Sequence, residues 1–300
     1  MSTATAEAGT AQQGTARRVL GALVHNPLAA FGSVVLLGVV VIGLLGPALA
    51  PYSENEITVE DALEGPSGRH FFGTDELGRD VFSRVLIATR VSLQVSAVSV
   101  TIALLIGVSL GLAAGYYRGL VDTVVMRLMD VLFAFPVMLL AVAIVAVLGP
   151  GLQTAMIAIA VVYAPIFARV TRASVLSVRE EEYVTAATSI GASDLRIIGM
   201  HVLPNAAAPI IVQTSLSLAF AILSEAALSF LGLGVQPPAP SWGRMLFDAR
   251  GFVEQAWWMG VFPGLAIFVV VLSFNLVGDA LRDVLDPRQR SLTEARAGTS

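Results

Sequence analysis

The sequence predicts an all-α integral membrane protein with about six transmembrane helices, and two observations lead to this prediction. The chain of 300 residues is 56% hydrophobic, only 13% of its residues are charged, and its mean hydropathy is +0.79. Soluble domains carry about 25% charged residues, so this chain cannot cover its own surface with polar groups. Apolar runs also follow one another along the chain, each near the ~20 residues that cross ~30 Å of hydrocarbon.

The first apolar run extends from Leu28 to Leu45 and follows Arg17 and Arg18. A cleaved secretory signal is the alternative, but the run exceeds the usual ~7–15 residues of a signal core. We therefore expect a retained helix. The residues before it are small, polar and aperiodic, which predicts a mostly disordered cytoplasmic tail over residues 1–26.

The later apolar runs complete a transmembrane domain that is expected to cover residues 27–285. They lie at about 91–115, 131–148, 152–168, 206–232 and 257–279. Gly149-Pro150-Gly151 predicts a tight turn between the third and fourth helices. Two outer loops are expected, at about 48–90 and 233–256, and residues 286–300 are expected to form a second cytoplasmic tail.

The distribution of arginine orients these helices. With the N-terminus inside, the cytoplasmic segments carry about twice as many arginines as the outer segments. Positive residues favour the cytoplasmic side of a membrane, so both termini are expected on that side of the lipid bilayer.

Missing residue types exclude several kinds of chemistry. The chain has no lysine, which a Walker A loop needs to reach the β- and γ-phosphates, so we expect neither ATP hydrolysis nor any other enzymatic activity. Without cysteine it forms no disulfide and no thiolate metal site. His25, His70 and His201 are far apart in sequence, so no metal site is expected. A net charge of −4 argues against nucleic acid as a partner.

The first outer loop contains a candidate interfacial helix. Thr74-Asp75-Glu76 is typical of a helix start. The pairs Asp75–Arg79 and Asp80–Arg84 have i,i+4 spacing, and apolar residues recur at helical spacing after them. We therefore expect an amphipathic helix to lie at the membrane interface before the chain enters the membrane.

The inner connection at about 179–205 predicts a short helical hairpin on the cytoplasmic side. Glu180–Glu182 favour a helix start, Gly191 can end that helix with a positive φ, and Ser193 can cap the next helix. The second helix has an expected apolar side that consists of Leu195, Ile198 and Val202.

Two interpretations of this hairpin stay open on composition alone. In the first, Ala186 and Ala187 form a small-residue face that another protein can approach closely. In the second, the hairpin folds back on the helices of its own chain.

The hairpin resembles the EAA loop of ABC importer permeases, whose pattern is E-A-A-x3-G-x9-I-x-L-P. The counterparts here are Thr185-Ala186-Ala187, Gly191 and Leu203-Pro204, while Thr185 and His201 depart from the usual Glu and Ile. In that family the hairpin docks on the ATPase. The resemblance therefore implies a coupling role for Tyr183, Ala186, Ala187, Gly191, Ala192, Leu195, Leu203 and Pro204.

Four more stretches resemble the second permease subunit of the peptide and nickel branch of ABC importers. They are residues 72–80, 129–136, 225–242 and 278–283. The resemblance implies the type I permease fold in a bacterial plasma (inner) membrane. It also implies a heterodimer with a sister permease, two ATP-binding cassette subunits that hold ATP and Mg, and an external substrate-binding protein. No cofactor is expected on this chain.

The function expected from this resemblance is to form part of the pore of an importer of di- or oligopeptides. Nickel chelates, haem or another small solute are alternative substrates of the same machine. A proton-coupled secondary transporter using Glu225 is an alternative of another class, and it would show inverted repeats with broken helices. A membrane anchor without a pore is a third alternative.

The sequence also predicts roles for individual residues on the outer side. Glu225 lies in an apolar run, where a carboxylate costs about 2.5–3.5 kcal/mol, so it is expected either to pair with Arg84 or Arg90 or to line the pathway. Trp242, Trp257 and Trp258 are expected as aromatic-belt anchors. The residues expected to form the outer loop surface for the binding protein are Asp75, Gly78, Arg79, Asp80 and Trp242.

Overall fold

The computed structural model describes Gly21 and residues 26–285, which form α-helices joined by loops with no β-strand among them. The described helices are α1 Pro27–Leu49, α2 Val81–Tyr117, α3 Gly119–Phe133, α4 Val137–Leu148, α5 Leu152–Arg179, α6 Glu182–Ser189, α7 Asp194–Ile197, α8 Leu203–Phe230, α9 Trp242–Ala249 and α10 Trp258–Leu285. A 3-10 turn covers Val59–Asp61 and a π-helical turn covers Ile198–Val202. The all-α prediction is confirmed, whereas both expected tails lie almost entirely outside the described residues.

Five helical segments are long and apolar enough to cross a membrane: α1, α2, α5, α10 and the continuous stretch Asp194–Phe230, which comprises α7, the π-helical turn and α8. The pair α3 and α4 forms a sixth span only when taken together, because the two helices are bent by 89° at their junction. About six spans were predicted, and this is confirmed, although the run at 131–148 is broken. Pro136 explains the break, because it has no N–H to donate and disfavours helical geometry in Phe135 before it. The connecting residues 134–136 are exposed on the surface of the chain.

Helix α2 begins well before the apolar run that predicted it. Asp80 caps the helix, and its carboxylate accepts a backbone N–H of the first turn at 2.7 Å. The predicted helix start at Thr74 is wrong, because residues 74–80 form a tight turn in which Asp75 accepts from Arg79 Nε at 2.6 Å, and the helix begins only at Val81. The expected Asp80–Arg84 pair is also wrong, since Arg84 Nε lies 3.7 Å from Asp75 instead.

The closest helix contact joins α2 to α5. Gly107, Gly111 and Gly115 are spaced by four residues and therefore share one face of α2. A Cβ atom at Gly107 would overlap the carbonyl oxygen of Ala164, and one at Gly111 would lie 2.5 Å from that of Ala168. The two backbones thus touch along this face, as in other membrane helix pairs with small residues at every fourth position.

The main apolar core lies among α2, α4, α5 and α8, with Ile159 and Phe167 of α5 fully buried in it. Helix α1 lies at the periphery and packs mainly on α2 and α10. Its other side presents large apolar residues such as Leu37 and Leu44, which are 66% and 73% exposed. This pattern is that of a helix that faces lipid.

The loops at the two ends of the bundle differ in structure. At one end, the segments 50–80 and 231–257 pack on each other and on the start of α2. Trp242 Nε1 donates to the carbonyl of Val85 at 3.2 Å, and Trp258 Nε1 donates to that of Thr74 at 2.9 Å. Both indoles are buried, so the expectation of aromatic-belt anchors is wrong for them. At the opposite end of α2 and α5 lies the hairpin of α6 and α7.

The α2–α5 contact leads to a test with matched alanine variants. We expect Gly111→Ala to destabilise the protein by about 1–3 kcal/mol, because the added methyl group must push two backbones apart. Gly38→Ala on α1 places the same methyl group where nothing lies within 4 Å. Both changes gain the same helix propensity, about 1 kcal/mol, so their difference isolates the contact.

The measurement is the thermal unfolding midpoint of the two variants purified in the same detergent. Gly38→Ala should be neutral or slightly stabilising. Equal midpoints for the two variants would show that the backbones of α2 and α5 are not in close contact.

Candidate functional site

The hairpin between α5 and α8, residues 180–202, has the architecture that its sequence predicted. Helix α6 ends at Ser189, and Gly191 follows with φ +77°. Ser193 then occupies the N-cap position of α7. A side chain at Gly191 would meet no atom within 4 Å, so the glycine is required by the backbone turn and not by a close contact within this chain.

One face of the hairpin packs on the ends of α2 and α5. Val184, Ile197 and Val202 form a buried cluster with Tyr116 and Val175. The Tyr116 hydroxyl also donates to the carboxylate of Asp194 at 3.0 Å. The interpretation that the hairpin folds back on its own chain is therefore correct for this face.

Two residues lie on a different face from the one expected. Ala187 is buried in the same cluster, so the small-residue surface predicted for it and Ala186 is reduced to Ala186. Leu195, expected on the apolar side of α7, is 82% exposed, and its place inside is taken by Ile197.

The other face of the hairpin leaves apolar side chains uncovered. Ile190 and Leu195 are more than four-fifths exposed, and Tyr183 and Met200 are also exposed. Of the remaining residues expected to couple, Ala186, Gly191 and Pro204 are exposed, and Ala192 and Leu203 are partly buried. One face of the hairpin thus packs on its own chain, and the other presents an apolar surface. The structure therefore combines the two interpretations, a hairpin folded back on its own helices and a hairpin that another protein can approach.

One ion pair connects the base of the hairpin to the end of α2, and a second joins α3 to α5 nearby. Arg118 donates to the carboxylate of Glu180 at 2.6 Å, and this hydrogen bond holds the pKa of Glu180 below its usual value. Arg172 of α5 binds the carboxylate of Asp122 on α3 through two hydrogen bonds of 2.5 and 2.6 Å. A cavity of about 640 Å³ lies between the ends of α2, α5 and α6.

Glu225 lies at the other end of the bundle and is completely buried. Its carboxylate accepts from Ser229 Oγ at 2.8 Å and from Ser92 Oγ on α2 at 3.4 Å, and the hydroxyl of Ser241 is a third donor. The expected pairing with Arg84 or Arg90 is wrong, since neither forms an ion pair with Glu225 in the described structure. We call these four residues, Ser92, Glu225, Ser229 and Ser241, the serine–glutamate cluster.

The cluster joins three parts of the chain. Ser92 belongs to α2, Glu225 and Ser229 belong to α8, and Ser241 caps α9 by accepting the N–H of Arg244. Ser229 Oγ also accepts the N–H of Val235, so the hydrogen-bonded chain continues into the loop after α8. The sequence signal for this cluster is the i,i+4 spacing of Glu225 and Ser229, which places both side chains on one helix face.

The residues expected to contact a binding protein are buried where the segments 50–80 and 231–257 meet the start of α2. Asp75, Arg79 and Asp80 are each less than one-tenth exposed, and Trp242 is 1% exposed. A Cβ at Gly78 would overlap the carbonyl oxygen of Thr58. These side chains hold the loop together and are not available for direct docking, so that expectation is wrong as stated. Burial, with the Asp75 carboxylate, raises the pKa of the neighbouring Glu76.

Two family models match the sequence. That of the binding-protein-dependent transport system inner membrane component matches residues 107–291. That of the N-terminal transmembrane domain of oligopeptide transport permease C matches residues 15–66.

Several named proteins are similar to this chain over most of their length. The dipeptide transport system permease protein DppC of Alkalihalophilus pseudofirmus is 49% identical, over 92% of this chain and 90% of that protein. The di/tripeptide transport system permease protein DppC of Pseudomonas aeruginosa is 48% identical, over 89% and 90%. The glutathione transport system permease protein GsiD of Pectobacterium atrosepticum is 46% identical, over 89% and 88%.

Among solved structures, an inward-facing conformation of the MetNI methionine ABC transporter matches with a TM-score of 0.56. The match covers 67% of this chain and 96% of the other, at 18% sequence identity. It shows a shared fold, which agrees with the permease fold expected from the hairpin and the membrane helices.

The serine–glutamate cluster leads to a stability prediction. We expect Glu225→Ala to lower the free energy of unfolding by about 2–4 kcal/mol, because it leaves buried hydroxyl groups without an acceptor and opens a cavity. Glu225→Gln keeps the shape and one acceptor oxygen, so its loss should be smaller. Glu254→Ala removes an exposed carboxylate at the same end of the bundle and serves as the control.

Purified yield and thermal midpoint in detergent measure these effects. If Glu225→Ala were as stable as Glu254→Ala and differed only in transport, the carboxylate would act on the substrate and not on the fold.

Proposed function

The chain belongs to the family of binding-protein-dependent transport system inner membrane components, and we propose that it forms half of the pore of an ATP-driven importer of di- and oligopeptides. The observation that carries the proposal is the exposed apolar face of the hairpin at one end of a membrane-spanning bundle. Burial of apolar surface is the main driving force for association between proteins in water. Residues such as Ile190 and Leu195 therefore favour a soluble partner at this place.

The partner that fits the hairpin is an ATPase subunit. The chain lacks the lysine of a Walker A loop, so ATP and Mg would be bound by two ATP-binding cassette subunits. A sister permease would supply the other half of the pore, and an external binding protein would deliver the substrate. In this arrangement the hairpin and both termini lie in the cytoplasm of a bacterial cell, which agrees with the distribution of arginine.

The packing of the hairpin supplies a route for coupling. Val184 and Ile197 contact Tyr116 at the end of α2 and Val175 near the end of α5. A displacement of the hairpin by a closing ATPase dimer would therefore move α2 and α5. Since their backbones touch along the glycine face, the two helices would move as one unit and alter access to the pore.

We infer a peptide substrate from the names of the similar proteins. Those with 46–49% identity are named for dipeptide, di/tripeptide or glutathione transport. Glutathione is itself a tripeptide, so these names share one chemical class. Nickel chelates, haem and other solutes find no comparable support.

The proton-coupled alternative is not favoured. It needs a carboxylate that meets both substrate and water during transport, whereas Glu225 is enclosed within one chain and engaged by serine hydroxyls. The bonds of Glu225 link α2, α8 and the loop before α9, which is a structural role.

The docking role of the hairpin is tested by removing an exposed apolar side chain. We expect Leu195→Ser to weaken association with the ATPase subunits by at least about 10-fold, as truncation of an interface hot spot does. Peptide uptake should fall in parallel. The isolated chain should keep its stability, because Leu195 makes little contact within it.

Val253→Ser is the matched control, since Val253 is 60% exposed in a loop at the opposite end of the bundle. Co-purification of the ATPase subunits and uptake of a labelled dipeptide measure the two effects. Normal assembly and uptake in Leu195→Ser would remove this face from the proposed interface.

A second test asks whether ATP hydrolysis belongs to the ATPase subunits and not to this chain. The full-length chain, purified alone, should neither bind nor hydrolyse ATP, because no lysine is present to contact the phosphates. Hydrolysis should appear when the ATPase subunits are added. Steady release of phosphate by the isolated chain, at a rate above that of a mock purification, would contradict the proposal.

A further inference from the structure

The outer loop brings together three side chains with metal-binding atoms. Asp61 and Glu64 belong to one turn, and His70 follows after a second turn. One ligand atom from each residue lies within 4.8 Å of the others. The spacing of the histidines along the sequence gives no sign of this site, because the partners of His70 are acids and not other histidines.

The orientation of His70 is the second observation. The side chain is buried, and its Nδ1 lies 2.9 Å from the carboxylate of Asp80. The ring of Tyr52 packs against it, with the ring centroids 4.9 Å apart. These contacts fix the imidazole and direct Nε2 towards the two acids, 3.7 Å from Asp61 Oδ2.

Nε2 has no hydrogen-bond partner among the described residues, although it is buried. A buried nitrogen without a hydrogen-bond partner costs free energy, and a ligand bound to His70 Nε2 would remove that cost. The arrangement of a carboxylate on one ring nitrogen and a free second nitrogen is common for metal-binding histidines, in which the carboxylate orients the ring.

We propose that Asp61, Glu64 and His70 bind a divalent transition-metal ion, with Zn²⁺ as the best match. One imidazole nitrogen and two carboxylate oxygens suit zinc, and a water molecule completes four-coordination. Calcium and magnesium prefer sites made only of oxygen. Ligand atoms around tetrahedral zinc lie about 3.3 Å apart, so ligand atoms that lie within 4.8 Å of one another must move closer together when the ion binds.

The charges around the site also favour a cation. The carboxylates of Asp61, Glu64 and Asp80 converge here, and the carboxylate of Glu64 forms no hydrogen bond or ion pair with the described residues. Arg69 contacts Asp61 Oδ2 at 3.2 Å, but its side chain is 68% exposed and can turn into solvent. A metal ion would therefore neutralise charge that the protein leaves unbalanced.

A metal ion at this site would cross-link parts of the segment 50–80 and so stabilise it. The one helical element described in the segment 50–80 is the 3-10 turn Val59–Asp61, and the chain has no cysteine for a disulfide. A bound ion would join the turn at Asp61 to His70, and through Asp80 to the N-cap of α2. Binding would then stabilise the loop, because the unfolded loop has no preformed site. This inference does not depend on the proposed function.

The test uses the full-length chain purified in detergent without a histidine tag and equilibrated with Zn²⁺. We expect about one zinc ion per chain by elemental analysis, and a rise in the thermal midpoint on addition of zinc. In Glu64→Gln, zinc affinity should fall by more than about 10-fold and the thermal shift should disappear. Glu60→Gln changes an exposed acid of the same turn and should bind zinc like the parent.

Glu64→Gln is preferred to a His70 variant because the Glu64 carboxylate makes no other contact, so the fold should survive. Co²⁺ in place of Zn²⁺ gives a second reading through its visible absorption bands. If the parent binds no zinc, or if both glutamine variants bind it equally, the proposal fails.

Discussion

Inside a bilayer, apolar side chains gain nothing by leaving lipid for a protein interior, so helices associate through close packing and hydrogen bonds. The contact of α2 with α5 meets this requirement through Gly107, Gly111 and Gly115, since a methyl group added at any of the three would lie under 3.0 Å from an atom of α5. Both helices continue to the hairpin at one end, and α2 continues to the segment 50–80 at the other. The geometry of each functional region therefore depends on this one helix pair.

The two ends of the bundle are held by different kinds of interaction. At the hairpin end, an apolar cluster, the hydrogen bond of Tyr116 with Asp194 and the exposed ion pair of Arg118 with Glu180 fix the position of α6 and α7. At the other end, buried polar groups satisfy one another in the serine–glutamate cluster and around Asp75 and Arg79. A buried hydrogen-bonded network is costly to leave partly satisfied, so that end is expected to be rigid. The apolar hairpin is better suited to small displacements.

Much of the fold could be predicted from the sequence, because apolar runs of membrane length and the glycine turn at Gly191 are local signals. The face of α7 could not, because the π-helical turn at Ile198–Val202 has five-residue spacing and therefore places Ile197, and not Leu195, on the face of Val202. The start of α2 was also misplaced, since Asp75 and Arg79 have the spacing of a helix yet close a turn. The environment of Glu225 depends on Ser92 and Ser241, which lie far from it in sequence.

The break between α3 and α4 has a consequence for what surrounds the chain. Helix α4 has 12 residues and is about 18 Å long, which is less than the ~30 Å of the hydrocarbon layer. If α3 and α4 together form one span, the exposed connection at residues 134–136 lies at a depth where lipid tails offer no hydrogen bonds to free peptide groups. Irregular backbone persists at such depth only against another protein or beside a water-filled passage. On this placement that surface of the molecule is closed to lipid, in contrast to that of α1.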